Sequence, residues 1–440
     1  MIGLQIAERY KNLVSSYWFV PLLCSIGAIV LVVIAAWLDM LAARGDIPVL
    51  VFFDQATPSG RRALLSTIAG SSIAVAGTVF SISMVVLSSA SAQLGPRLLP
   101  NFFKRISTQL VLGGFIATFL AALLVLAQVT DSVGGPNPHS YGVGLSFVLA
   151  VLSLALLVYY LQSVSQFIQA PLVIEDVAID LVRVLKQQTV KSRTGKPVSG
   201  PAEAEFLKQF DGECAHIDAH KDGYIQAIDT DRGCELAAEH NLCIKLPRRP
   251  GHFVAVDDPL ALILPADGLN DELSSKIREL IVIGAQRTNS KDVEYVVDQL
   301  VEIAVRALSP GVNDPITAIN CIDRLGGALG VLATREFPGN ICCDDAGNPR
   351  LHMERLSDKG VVDTVFNQLR QHASNNVAVS IRLMEMVASL GSRISRKALK
   401  QALHHQLENH YADCQREING KADLHDIGER YHRAVEILAI

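Results

Sequence analysis

The stretch ALLSTIAGSSIAVAGTVFSISMVVLSSASAQ, residues 63–93, decides the fold of this chain. It lies within a run that has no charged residue between Arg62 and Arg97. Such a run exceeds the roughly 20 residues that an α-helix needs to cross a hydrocarbon core of about 30 Å. One further apolar run precedes it and two follow it, at residues 17–38, 110–129 and 141–161. The sequence therefore predicts an α-helical membrane domain of four transmembrane helices within residues 1–170.

Small residues recur along the second of these predicted helices. Four of them are spaced three and four residues apart: Gly70, Ala74, Gly77 and Ser81. On a helix they form one narrow stripe, which lets another helix approach closely in lipid, where van der Waals packing replaces the hydrophobic driving force. We therefore expect the stripe to contact protein. Gly77→Leu is expected to disrupt assembly or passage, whereas Val79→Leu, on the other side of the helix, is expected to be mild.

Two interpretations of this helix are open. In the first, hydroxyl groups line a hydrated path, with Ser71, Thr78 and Ser81 as the best candidates and Ser83 beside them. In the second, the hydroxyls bond back to carbonyl groups of their own helix, and the stripe serves packing alone. No Asp, Glu, Lys, Arg or His lies within the four predicted spans. Ion-coupled transport usually needs such a group inside the membrane, whereas a passive pore does not.

Charge separates the chain into two parts. Residues 1–170 hold eight Lys and Arg against five Asp and Glu, and residues 171–440 hold 31 against 39. Because binding to nucleic acid needs a concentrated basic face, the acidic balance argues against nucleic acid as a partner. Cytoplasmic loops carry an excess of Lys and Arg. The basic residues of the N-terminus and the second loop therefore predict cytoplasmic termini in a bacterial inner membrane.

Three basic residues of the second loop are predicted to lie at the membrane surface: Arg97, Lys104 and Arg105. Long basic side chains at such a position extend to the lipid headgroups, so the lipid bilayer is an expected partner.

Residues 171–440 are predicted to form a cytoplasmic α+β domain. Short segments that alternate apolar and polar residues between Gly and Pro predict a small β-barrel-like insert at about residues 222–264. The helical period returns at residue 271, so residues 271–440 are predicted to be helical, with a hairpin-like insertion at residues 337–354. In particular, DELSSKIRELIVIG, residues 271–284, is predicted to be one helix.

The segment RALSPGVNDPITA, residues 306–318, carries turn residues between two apolar helices. Asn313 and Asp314 present a polar site at a helix N-terminus in one interpretation, because such a terminus favours anions. The alternative, which we prefer, is a helix–helix corner in which Asp314 caps the helix that starts with Pro315.

The motifs of common enzymes are absent from the sequence, which contains no nucleotide-binding glycine loop, no G-x-S-x-G and no CxxC pair. His410 and Cys414 are four residues apart on a predicted helix, but they lack the second ligand pair of a zinc site. We therefore expect a protein that is not an enzyme and that carries no cofactor and no metal.

These observations favour an oligomeric channel-like conduit for an ion or small solute, with the cytoplasmic domain as a vestibule or sensor. Identical subunits in one membrane plane favour a closed homo-oligomer. The alternative is a non-conducting membrane scaffold or regulator that binds a protein partner through its cytoplasmic domain.

Three separated blocks of the chain resemble an uncharacterised family of bacterial predicted inner-membrane proteins, classed as a domain of unknown function. The blocks are residues 67–103, residues 223–261 with GYIQAID and PGHFVAVDDPLA, and VEIAVRALSPGVNDPITA at residues 301–318. The resemblance implies four amino-terminal membrane helices and a large carboxy-terminal cytoplasmic region, and it implies no activity. The chain departs from the family after the fourth helix, where YYLQSVSQFIQAPLVIEDV replaces a histidine-bearing stretch.

Overall fold

The computed structural model describes residues 18–44, 46–48, 57–96, 106–129, 140–167, 169–191 and 201–439. Contacts divide the chain into two compact units, one of residues 2–169 and one of residues 170–440.

The amino-terminal unit is a bundle of four long helices: α1 (Phe19–Ala43), α2 (Pro58–Leu94), α3 (Ile106–Gln128) and α4 (Ser140–Phe167). Helix α3 packs against the other three and therefore lies at the centre of the bundle. Its glycines make this packing possible. A Cβ atom at Gly113 would lie 3.0 Å from the Sγ of Cys24 on α1, and one at Gly114 would lie 2.7 Å from the Cδ1 of Leu156 on α4. Small residues thus bring helices together in lipid, on α3 rather than α2.

Helices α1 and α2 are longer than the charge-free runs that predicted them. Helix α2 begins at Pro58, where Thr57 Oγ1 accepts a hydrogen bond from the Gly60 N–H at 3.1 Å. Arg61 therefore lies inside the helix and is buried. Helix α1 continues beyond Asp39 to Ala43. The predicted spans contain no charged residue, but the helices extend beyond them and include Asp39, Arg61 and Arg62. Polar partners allow a helix to continue through a charge.

The carboxy-terminal unit mixes helices and short strands. In chain order, its first half contains α5 (Ala170–Gln188), β1 (Val190–Lys191), α6 (Pro201–Lys208), β2 (Ala215–Asp218), β3 (Gly223–Ile228), α7 (Thr230–Glu239), β4 (Cys243–Leu246), β5 (Phe253–Val254), β6 (Pro259–Leu264), α8 (Asp271–Glu279) and β7 (Ile281–Gly284). Its second half contains α9 (Val293–Ala307), α10 (Pro315–Leu329), β8 (Arg335–Glu336), β9 (Ile341–Cys343), β10 (Pro349–Met353), α11 (Asp358–Ala373), α12 (Val377–Gly391), α13 (Lys397–Glu417) and α14 (Lys421–Leu438).

The strands form three sheets. Their orders are β2-β6-β4-β10-β9, β5-β3-β7 and β1-β8. Strand β10 is parallel to β4, with Leu351 opposite Ile244, and antiparallel to β9. The five-stranded and three-stranded sheets bury a common apolar cluster that includes Ile217, Ile244 and Ile225. The unit is therefore α+β, as predicted.

The β region is wider than the predicted insert at residues 222–264. Strands β1, β2, β7 and β8 lie outside those limits, and β7 and β8 fall within residues 271–440. The hairpin predicted at residues 337–354 is confirmed, since β9 and β10 pair antiparallel there. The predicted helix at residues 271–284 ends at Glu279, and Ile281–Gly284 forms β7. Its β-branched residues pair with β3, where Ile283 lies opposite Ile225. Such residues fit a half-buried sheet better than a helix end.

Five described helices are long and apolar enough to cross a membrane, the four of the bundle and a fifth at Pro315–Ala333 that contains α10. Helix α10 packs against α5, α9 and α12 within the carboxy-terminal unit. Its charged residues are paired there, since Arg382 Nε lies 2.5 Å from Asp323 and Arg324 lies 3.5 Å from Glu175. Four membrane spans therefore stay our prediction, on the ground that α10 already has a protein environment.

Candidate functional site

The small-residue stripe of α2 faces outward from the bundle. Gly70, Ala74, Gly77 and Ser81 are all exposed. A Cβ atom at Gly70 or Gly77 would have no neighbour within 4 Å. The opposite side of α2 packs against the bundle, with Leu65, Ala69, Ala76 and Val79 buried. Within the described part of one chain, the stripe therefore does not make the close helix contact that the sequence predicts.

Hydroxyl groups on the same face bond to their own helix. Ser71 donates to the carbonyl of Ile68 at 3.2 Å, Thr78 to that of Ala74 at 3.1 Å, and Ser81 to that of Gly77 at 2.9 Å. This is the geometry of the second interpretation, in which hydroxyls satisfy themselves locally. Each hydroxyl oxygen still has lone pairs that accept from another group on the exposed face.

The exposed face of α2 differs in composition from the exposed faces of α1 and α4. Helix α1 presents bulky side chains such as Val30, Val33 and Trp37, and α4 presents residues such as Leu154 and Val158. Between residues 63 and 88, the exposed residues of α2 are mostly small or hydroxylated: Ala63, Ser66, Thr67, Gly70, Ser71, Ala74, Gly77, Thr78, Ser81 and Ser88. Successive residues of a helix are about 100° apart, which places exposed Ile73 and Phe80 at one margin of this face and exposed Ile82 at the other. Val85 is a large apolar residue that lies within the face. We call this surface the α2 small face.

Other hydroxyl groups lie inside the bundle and connect its helices. The oxygen atoms of Ser83 on α2 and Tyr160 on α4 are 2.7 Å apart and buried. Thr118 on α3 and Ser153 on α4 make a second buried pair, also at 2.7 Å. Ser83 therefore joins two helices of one chain and does not lie on the exposed face with Ser71, Thr78 and Ser81.

A buried carboxylate near the end of α1 is a feature that the sequence reasoning missed. The Oδ1 of Asp39 accepts a hydrogen bond from the Tyr141 N–H at 2.9 Å, and its Oδ2 accepts one from the Gly142 N–H at 3.1 Å. These are N–H groups of the first turn of α4, which has no intrahelical acceptor for them. A single Asp at the end of an otherwise charge-free helix is the signal in the sequence that could have identified this contact.

The predicted membrane-surface residues Arg97, Lys104 and Arg105 lie outside the described residues. Basic residues at the other end of α2 are described and have protein partners. Arg61 is buried, and Arg62 donates to the carbonyl oxygen of Val129 at 2.9 Å, just beyond the end of α3. A cation there complements the negative end of the helix dipole.

The polar turn forms a helix–helix corner. Asp314 Oδ1 accepts from the Thr317 N–H at 3.1 Å, and Oδ2 accepts from the Thr317 hydroxyl at 2.6 Å. These bonds from Thr317 hold the pKa of Asp314 below its usual range. Asn313 adopts a left-handed conformation with φ of 48°. Asp314 caps α10, as the corner interpretation predicts, and its carboxylate occupies the helix N-terminus that an anion would need.

His410 and Cys414 contact each other inside the helical layer. The His410 Nε2 and the Cys414 Sγ are 3.7 Å apart, and both residues are buried. Burial lowers the pKa of His410 to about 4. Among the described residues, no group of three or more His, Cys, Asp and Glu is arranged to hold a metal ion.

Comparison with known proteins places these features in a family. Residues 14–389 match the family model described as predicted membrane protein (DUF2254). The uncharacterized proteins Mb1321c of Mycobacterium bovis and Rv1290c of Mycobacterium tuberculosis are each 27% identical over 413 residues, which covers 92% of this chain and 77% of each relative. No solved structure matches the chain significantly. The chain therefore belongs to the DUF2254 family of predicted membrane proteins, bacterial proteins whose activity the family description leaves open.

Proposed function

We propose that this membrane protein is a homo-oligomer in which the α2 small faces of several copies meet and line a channel-like conduit. The observation that carries the proposal is the exposure of this face. Open space surrounds Gly70 and Gly77 in one chain, whereas α1 and α4 expose bulky apolar side chains that suit lipid. A face of Gly, Ala, Ser and Thr gains little from lipid and packs closely against an identical helix.

Charge restricts the kind of conduit. Residues 63–96 include no Asp, Glu, Lys, Arg or His, so the α2 small face offers hydroxyl and carbonyl oxygens but no charged ring. Such a lining serves passive passage of an ion or small solute and does not fix the sign of its charge. No catalytic step, cofactor or metal belongs to this proposal.

A non-conducting scaffold or regulator is the second candidate. The bonds of Ser71, Thr78 and Ser81 to their own carbonyl groups favour it, since a face that has satisfied its donors also suits dry helix packing. The conduit requires contact between α2 helices with water between them. The scaffold binds a protein partner through its cytoplasmic domain and requires no water between α2 helices.

Cross-linking in membranes tests whether α2 helices of different copies are in contact. Ala74→Cys places a thiol on the α2 small face, and Val33→Cys places one on the exposed face of α1. With a short bis-maleimide, we expect a covalent dimer for Ala74→Cys beyond the background of the wild-type thiols, and none for Val33→Cys. A mass of one 47.6 kDa chain in mild detergent, together with equal cross-linking of both variants, would contradict the oligomer.

Flux separates the two candidates. Purified protein in liposomes is expected to release a small trapped ion, and Gly77→Leu is expected to reduce this release because it fills the space between α2 helices. Val33→Leu, which enlarges a side chain on the α1 surface, is the matched control. Dimers without flux, under varied voltage and membrane tension, would favour the scaffold.

We also propose the bacterial inner membrane as the location, with both termini in the cytoplasm. The exposed thiol of Cys343 reports the side of the carboxy-terminal unit. In spheroplasts, a membrane-impermeant maleimide is expected to label Ser132→Cys and to leave Cys343 unlabelled until the membrane is opened. Labelling of Cys343 in intact spheroplasts would reverse the orientation.

A further inference from the structure

A cavity of about 570 Å³ lies in the carboxy-terminal unit, between the chain that follows β8 and the start of α11. A second cavity of about 400 Å³ adjoins it and shares Arg249, Phe337, Pro338, Arg355 and Leu356. Ligand sites for small molecules typically occupy about 300–1,000 Å³ and combine apolar walls with a few polar groups. These cavities have that size and lie within one unit of the chain.

Arg355 lines both cavities. Its backbone N–H donates to Asn340 Oδ1 at 2.9 Å, which fixes the chain at this point. Its side chain is largely buried, and its Nε is fully buried without a hydrogen-bond partner. Among the described residues it makes no ion pair. Burial lowers the pKa of Arg355, and the carboxylate of Asp231, which lines the smaller cavity, acts in the opposite direction. A buried N–H donor without an acceptor costs free energy, which a bound anion would recover.

The neighbouring charges are largely satisfied by each other. Arg396 lies 2.7 Å from Asp358, and Arg249 lies 2.8 Å from Glu294. Asp363 accepts from the Gln406 amide at 2.8 Å. Glu336, Glu354 and Lys359 complete the charged lining of the larger cavity, and Glu354 and Lys359 are exposed to water. The smaller cavity is also lined by Asp231, Lys291, Asp292 and Glu294.

The first turn of α11 forms another wall of the larger cavity through Ser357, Asp358, Lys359 and Gly360. The N-terminus of this helix is capped by Ser357, whose hydroxyl accepts from the Gly360 N–H at 3.1 Å, and the Asp358 carboxylate lies in its first turn. The guanidinium of Arg355 is therefore the group of this cavity that would bind phosphate.

We propose that this cavity binds a phosphate ester, with the phosphate on the guanidinium of Arg355 and the organic part against Phe337 and Leu356. Arginine donates two parallel hydrogen bonds to a phosphate, and the side-chain N–H groups of Arg355 are available to make them. The site does not depend on conduction by the bundle, so the failure of either proposal leaves the other standing.

Equilibrium binding to the full-length protein in detergent tests the proposal with defined probes. We expect adenosine 5′-monophosphate to bind, inorganic phosphate to bind more weakly, and adenosine to bind at least tenfold more weakly than its monophosphate. Arg355→Met is expected to weaken binding of the monophosphate at least tenfold, and Arg355→Lys to retain part of it. Arg393→Met removes an exposed arginine of the same unit and should bind as the wild type does.

Short-chain phosphatidylglycerol distinguishes a lipid headgroup from a soluble ester. Saturable binding of this lipid that Arg355→Met abolishes, without binding of the nucleotide, would support the same phosphate contact and assign its source to lipid. Binding of no phosphate probe to the wild type, or equal binding by Arg355→Met, would overturn the proposal. The ligand-free Arg355→Met protein should melt no lower than the wild type, and a large loss of thermal stability would instead assign Arg355 to the fold.

Discussion

The carboxylate of Asp39 accepts a hydrogen bond from the backbone N–H of Tyr141 at 2.9 Å, and thereby connects the end of α1 to the start of α4. The second oxygen of Asp39 accepts from the Gly142 N–H at 3.1 Å. The two N–H groups lie in the first helical turn, where no carbonyl of the helix reaches them. A negative charge at this position also complements the positive end of the helix dipole. One side chain therefore caps a helix about 100 residues further along the chain and orders the bundle at this end.

Removal of the Asp39 carboxylate should destabilise the bundle. Asp39→Ala leaves two buried N–H groups of α4 without their acceptors, and loss of such a cap costs about 0.5–2 kcal/mol. We expect a lower thermal unfolding midpoint of the purified protein in detergent. Asp46→Ala removes an exposed carboxylate a short distance along the chain and should leave the midpoint unchanged. Equal midpoints for both variants would show that the cap contributes nothing.

Gly77 and Val79 should respond to enlargement in opposite ways. The sequence alone predicts a mild effect of Val79→Leu, whereas the burial of Val79, which is 1% exposed within the bundle, predicts a destabilising one. An added methylene group there overpacks the contact with α3 and α4, which costs about 1–3 kcal/mol. Gly77 has open space around it, so Gly77→Leu should not lower the unfolding midpoint of a single chain.

The variants Gly77→Leu and Val79→Leu together distinguish an effect on folding from an effect on assembly. Gly77→Leu should retain the wild-type midpoint and lose the cross-link between copies at residue 74, whereas Val79→Leu should lower the midpoint. If Gly77→Leu unfolds as easily as Val79→Leu, the α2 small face is not open in the folded protein.

Long apolar helices could be predicted from the sequence because a charge-free apolar run of about 20 residues suits a membrane-spanning helix and is rare in soluble folds. The direction in which α2 faces could not be predicted in the same way. The stripe of Gly70 and Gly77 and the buried row of Leu65 and Ala76 are both composed of residues that suit close packing, so periodicity gives two faces without indicating which one meets α3. The contacts of Gly113 and Gly114 decide it, and they depend on the partner helices.

Other features depend on pairing between distant segments. In the sequence, β7 continues the helical pattern of α8, and only its pairing with β3, where Ile283 lies opposite Ile225, makes it a strand. Strand β10 pairs in the five-stranded sheet with β4, which lies more than 100 residues earlier in the chain. The cavity around Arg355 combines residues from four regions of the chain, and none of them carries a local motif. The corner at Asp314 could be predicted because a cap and the Pro that follows it are local signals.

The buried pair of Thr118 and Ser153 should contribute a measurable coupling between α3 and α4. Their oxygen atoms are 2.7 Å apart, and both residues lie inside the bundle. Double-mutant cycles on comparable pairs in membrane proteins average about 0.6 kcal/mol. We expect Thr118→Val and Ser153→Ala to lower the free energy of unfolding individually, and the double variant to cost less than their sum. Strict additivity would show that each hydroxyl is satisfied by the carbonyl of Gly114 alone.

Protonation of His410 should make the carboxy-terminal unit sensitive to acid. Burial lowers the pKa of His410 to about 4, and Arg370 acts in the same direction while Asp413 opposes it. An unfolded chain binds this proton near the ordinary histidine pKa of about 6.5. Between these two values the unfolded state therefore holds more protons than the folded state, and stability falls as the pH falls.

The slope expected from His410 is up to about 1.4 kcal/mol per pH unit between pH 6.5 and pH 4, with no contribution above pH 6.5. Carboxylates titrate in the lower part of this range, so the measurement is the difference between the wild type and His410→Gln. The unfolding midpoint of the wild type should decrease more steeply than that of the variant as the pH is lowered from 7 to 4.5. His405→Gln, at an exposed position of the same helix, should follow the wild type. Parallel curves for the wild type and His410→Gln would mean that His410 reaches water and takes up its proton in the folded protein.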